Sequence, residues 1–136
     1  MTSEAENKFR EAERQLDLLF REAEPVIAAR GISVADDSAR SYHYKNEYLS
    51  WRYRFETRQP RGSEIAKVWV VVSLDECNLT VLKVWRRAEI FQPGQLSRWE
   101  STTEEQVPLD TAMQGGLSSI IVEAIQAGEV AATNAA

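Results

Sequence analysis

The sequence predicts a single α+β domain. It is a four- or five-stranded antiparallel sheet with N- and C-terminal helices packed on one face, in the order α-β-β-β-β(-β)-α. Three observations carry this prediction. Apolar residues recur at three- and four-residue steps near both ends of the chain. Between those ends, apolar and polar residues alternate with period two. Residues 65–87, IAKVWVVVSLDECNLTVLKVWRR, are the most β-branched part of the chain, and they are interrupted midway by Asp75-Glu76-Cys77-Asn78, as a hairpin is by its turn. The domain is expected over residues 1–130, with a frayed tail over 131–136.

Residues 3–30 read as the first helix. Ser3 and Glu6 have the spacing of a capping box, and Glu4 and Glu6 suit the positive end of the helix dipole. Ala5, Phe9, Ala12, Leu16, Leu19, Phe20, Ala23, Val26 and Ile27 form one apolar face. Pro25 cannot donate its intrahelical hydrogen bond, so a kink or restart is expected there. Gly31 suits the position just past the helix end. The near-heptad spacing of the stripe also fits a helical dimer seam, although packing on the chain's own sheet is the preferred reading.

Residues 32–40 contain Asp36-Asp37-Ser38 and read as a loop. From Leu49 onward the alternation is strict, with Leu49, Trp51, Tyr53 and Phe55 on one side and Ser50, Arg52, Arg54, Glu56 and Arg58 on the other. Tyr42, Tyr44 and Tyr48 have another parity. A turn near Lys45-Asn46-Glu47 reconciles the two halves, giving a short strand and then a long one. Gln59-Pro60-Arg61-Gly62-Ser63 is a turn by composition.

In the hairpin that follows, a four-residue break pairs Leu74 with Leu79. Val68, Val70, Val72, Leu74, Leu79, Val81 and Trp85 then lie under the helices. Trp69, Val71, Leu82 and Val84 fall on the second face, with Lys67, Ser73, Thr80 and Arg86 at its ends. That face is too apolar to be left to water. A layer of long side chains, the termini or another subunit is expected over it.

Gln92-Pro93-Gly94-Gln95 is a turn. The threonine-rich and charged residues 96–107 suit an edge strand. The last helix begins at Pro108-Leu109-Asp110 with Asp110 as N-cap, and Gly128 is expected to stop it. Gly115-Gly116 lies inside its apolar stripe, where close packing is the expected compensation for poor helix propensity.

Composition narrows the function classes. With 136 residues the chain can bury a real core, and a net charge of −5 gives no global pull toward nucleic acid or anionic membrane. The N-terminal residues are charged, and the longest apolar run, residues 68–72, is far short of the ~20 residues that span a bilayer. A cytoplasmic protein with no membrane contact is expected. The single cysteine excludes an internal disulfide or a multi-cysteine metal site.

Candidate chemistry is sparse. His43 is the only histidine, and a strand histidine without an identifiable partner is a weak general base. Cys77 sits beside Asp75 and Glu76, whose charges disfavour the thiolate. The adjacent carboxylates Asp36-Asp37, Asp75-Glu76 and Glu104-Glu105 read as solvated charge rather than as a converging pair. No phosphate-loop, dinucleotide, zinc-protease or nucleophile-elbow motif occurs, and no cofactor is expected. The expected role is therefore a small non-catalytic protein-binding or adaptor module. Its partner is another protein or a second copy of itself, met through Trp69, Val71, Leu82 and Val84. The alternative is single-stranded nucleic-acid or polyanion binding through Arg52, Arg54, Arg58 and Arg86. A third is a ligand pocket or enzyme built around His43.

Overall fold

The computed structural model describes residues 4–34, 39–43, 49–74 and 79–135. Helix α1 (Glu4–Ala29) forms where the apolar stripe predicts it. Phe9, Ala12, Leu16, Phe20, Ala23 and Ile27 are buried, while Val26, expected on that face, is 45% exposed. The helix is continuous through Pro25, without a restart. It ends as glycine at the expected position requires. Gly31 takes φ 74°, its N–H donates to the Ala28 carbonyl, and the Ile32 N–H reaches back to the Ile27 carbonyl. Ile27 and Ile32 are both buried, supplying the apolar contact that accompanies this ending. The proposed cap at Ser3 lies outside the described residues.

The strands are β1 (Ser33–Val34), β2 (Ala39–His43), β3 (Leu49–Arg61), β4 (Glu64–Leu74), β5 (Val81–Phe91) and β6 (Trp99–Pro108). All pairings are antiparallel. The order is β1-β3-β4-β5-β6, with β2 also on β3. Because β1 pairs with Glu56 and Phe55 while β2 pairs with residues 49–52, the two short strands follow one another along a single edge of β3. The sheet is thus five positions wide, at the upper end of the expectation. A short strand before a long one is also as expected, whereas the turn at 45–47 and the loop residues 36–38 lie outside the described residues. Of the loop expected over 32–40, residues 33–34 are instead strand β1 and β2 begins at Ala39, because both pair with β3.

The β3–β4 turn is shorter than expected. The strand β3 runs through Pro60, which pairs with Ile65, so only Gly62-Ser63 connects β3 to β4. Gly62 takes φ 64°, the left-handed backbone that a two-residue hairpin loop demands at its first position. At the next connection the Gln95 N–H closes on the Gln92 carbonyl as predicted. The charged strand β6 is indeed a sheet edge.

The C-terminal helix is two helices. Helix α2 (Leu109–Gly115) and helix α3 (Leu117–Asn134) are separated by Gly116 at φ 82°, ψ 155°. Asp110 is not the N-cap; Pro108 holds that position and makes no side-chain cap. Nor does Gly128 stop the chain. It lies inside α3, which continues through the segment expected to fray, and Ala132 there is buried. Arg61 donates to the Ala132 carbonyl at 2.8 Å, tying this last turn to the end of β3.

Both long helices lie on one face of the sheet, as expected. Phe20 stacks on Tyr53 at 4.0 Å between ring centroids, and the Trp51 indole N–H donates to Asp17 at 3.0 Å. Leu117, Ile121 and Ile125 of α3 join the same core as Val68, Val70 and Val72. The α1 stripe is consumed by this intrachain packing. No helix of the described chain is long and apolar enough to cross a membrane.

Candidate functional site

The register of the β4–β5 hairpin decides which residues reach the uncovered face. Leu74 pairs with Leu82, not Leu79, and Val72 pairs with Val84. Leu79 instead packs against the core from the turn, and the carbonyl of Thr80 accepts the Leu109 N–H at 2.7 Å. The connection is therefore longer than four residues, and the shift of three inverts the facing of all of β5. Leu82 and Val84, expected on the second face, are 0% and 5% exposed beneath the helices. Trp85 moves the other way and pairs with Val71 on the second face. Arg86 pairs with Val70, so it lies on the helix side and apart from Arg52, Arg54 and Arg58.

Cross-strand pairing arranges the second face in rows running from β3 to β6. The central rows are Arg54, Val71, Trp85, Glu104 and Glu56, Trp69, Arg87, Thr102. They are flanked by Arg52, Ser73, Lys83, Gln106 on one side and Arg58, Lys67, Glu89, Glu100 on the other. Strand β3 is mainly basic and strand β6 acidic, with Trp69, Val71 and Trp85 between them. No described helix covers this face, yet Val71 is only 8% exposed. The long side chains around it form the expected covering layer.

That layer is held by specific contacts. The Trp69 indole N–H donates to Glu56 Oε2 at 3.1 Å, and Lys67 Nζ lies 3.4 Å from the same oxygen. Lys67 Nζ stands 4.4 Å from the Trp69 ring centroid, and the Arg87 guanidinium carbon 5.2 Å from it. A cation against an indole ring adds a favourable interaction of roughly 0.5–2 kcal/mol. Arg87 also pairs with Glu100 and Glu89. Glu89 is 8% exposed and accepts the Ser97 hydroxyl at 2.7 Å. Below this patch, Arg98 bonds Glu64 and holds its carboxyl below the usual carboxylate range.

Periodicity located Trp69, Val71 and the β3 arginines correctly. It missed Trp85, Lys83, Arg87 and the acidic half. A usable signal was present: Leu82, Val84, Ala88 and Ile90 share one parity, whereas Lys83, Trp85, Arg87 and Glu89 share the other. Weighing the whole strand rather than the turn length recovers the observed facing.

On the helix side, α3 leaves the inner surface of β6 partly open. A groove of about 390 Å³ runs there between Arg86, Glu105 and Val107 of the sheet and Ile120, Glu123 and Ala124 of α3. His43 lies in β2 opposite Leu49; its side chain, like Cys77, is outside what the structure describes. Among the described residues, no three of His, Cys, Asp and Glu gather as a metal site. The second face gathers tryptophans, paired cations and carboxylates. No protein-family model matches this chain, nor does any curated protein or solved structure.

Proposed function

We propose that this chain is a non-catalytic protein-binding module, an adaptor whose contact surface is the uncovered face of its sheet. One observation carries the reading. Trp69, Val71 and Trp85 sit together at the centre of a face that no described helix covers, inside a rim of charged residues. Tryptophan and arginine around a desolvated centre are what protein interfaces concentrate their binding energy in. Polyanion binding is less well supported, because Arg86 faces away from the other arginines and Glu89, Glu100 and Glu104 share their face. Carboxylates there would repel phosphates. A cytoplasmic setting fits a chain with one cysteine.

Site-specific photo-crosslinking in cells tests this. A crosslinker at Thr102, exposed on the second face, is expected to form an adduct with protein; one at Gln126, exposed on α3, serves as the control. An adduct with nucleic acid, or none at Thr102, would count against the reading. Retention on heparin that is lost with rising salt would favour the polyanion alternative.

A further inference from the structure

We infer that the occupant of this face is a second copy of the chain, docked about a two-fold axis that runs along the strands between β4 and β5. The inference rests on the reading of the face as protein-binding and names its partner. The ground is the charge layout. A two-fold axis in the interface plane and parallel to the strands reverses each row and keeps its height. It sets β3 over the partner's β6, and β4 over the partner's β5.

Each row then meets its own reverse. Arg54 opposes the partner's Glu104, while Val71 lies against the partner's Trp85. In an outer row Arg58 opposes the partner's Glu100. Each contact occurs twice, because such an interface is isologous. No row brings two like charges into opposition. Aligned sheets cross at about 30°, so the opposition is closest in the central rows, where the tryptophans lie.

The other face-to-face arrangement has its axis across the strands. It sets β3 against the partner's β3 with the rows reversed in height, so that Arg52 opposes the partner's Arg58 and Arg54 the partner's Glu56. That arrangement carries an Arg52–Arg58 opposition on each side of the axis, whereas the first carries no like-charge pair, so the charges favour the first. The charges therefore select one orientation, and the central apolar residues supply the surface to bury.

Sedimentation equilibrium on the full chain, from low micromolar to several hundred micromolar, tests this. The expected mass rises from 15.4 kDa toward twice that value with concentration. Glu104→Arg and Arg54→Glu should each weaken the dimer about ten-fold or more. The double variant, which exchanges the two signs, should restore it. Glu104 is exposed, so its variant keeps the fold; Arg54→Glu is checked by circular dichroism, and Arg58→Glu with Glu100→Arg supplies a second pair if it does not fold. A wild-type mass of 15.4 kDa at every concentration overturns the inference, as does a folded double variant no tighter than the singles. A monomer whose Thr102 adduct is another protein overturns self-association and leaves the protein-binding reading in place. A monomer with no adduct overturns both.

Discussion

Replacing Gly128 with alanine adds one methyl group at the closest approach between α3 and the sheet. A Cβ built there lies 2.5 Å from Val68 Cγ1, 3.2 Å from Val68 Cγ2 and 3.3 Å from Arg86 Cδ. Val68 cannot easily yield. It is 2% exposed in a central strand, and its branched side chain has few rotamers to choose from. A contact this short against a stiff neighbour belongs at the upper end of the usual cost of overpacking, about 2–3 kcal/mol. Alanine returns about 1 kcal/mol of helix propensity over glycine in a helix interior. The net expectation is a loss of about 1–2 kcal/mol, which for a chain of this size lowers Tm by roughly 3–8 °C. Urea and thermal unfolding of Gly128→Ala measure it. Gly115→Ala is the control, because nothing lies within 4 Å of its Cβ, and it should be neutral or slightly stabilising. Adding Val68→Ala to Gly128→Ala should cost less than the sum of the two single changes, since it removes the clashing methyls. A Gly128→Ala protein as stable as wild type would refute the argument that α3 docks at this distance because residue 128 has no side chain.

Three further outcomes follow from the structure. Gly116→Ala should destabilise by about 1–3 kcal/mol in the same assays, because φ 82°, ψ 155° is a conformation that only glycine adopts readily. Trp51→Phe should cost about 1–3 kcal/mol by removing the donor to the Asp17 carboxylate, and Asp17→Asn should cost less because it keeps an acceptor. The Glu64 carboxyl is held below its ordinary value of 4.5 by the Arg98 hydrogen bond, so its contribution is present above that pH and is lost as pH falls through the depressed value. Glu64→Gln should therefore lower Tm near neutral pH, with the difference from wild type shrinking as pH falls below the ordinary carboxylate value.

Much of the fold was legible in the sequence, for local reasons. The stripe from Phe9 to Ile27 encodes a helix because helical geometry brings every third or fourth residue to one side. Trp51, Tyr53 and Phe55 alternate with Arg52, Arg54 and Glu56 because a strand turns each successive residue over, and all three aromatics are buried as that predicts. The ending at Gly31 could be placed from one residue, since few others adopt its φ without strain. The candidate site was legible only on β3 and β4. On β5 its residues were exchanged with the core, because facing there was judged from a turn whose length the sequence does not display.

What the sequence determined by itself, then, is the first helix, the long strands and their order, and the apolar side of α1 and of the long β3 strand. These depend on neighbours within a few residues. The tertiary structure alone decided the β4–β5 register, through Leu79 packing into the core and Leu109 bonding to Thr80. It also decided the meaning of the glycines. Gly116 breaks a helix that its neighbours would continue, and Gly128, a stop signal by composition, is a point of contact with Val68. Gly128 meets a residue sixty positions away and the Leu109–Thr80 bond spans twenty-nine, distances that no local pattern reports. The opposed charges across the second face are decided at the same level: strand pairing places Arg54 and Glu104, fifty residues apart, in one row.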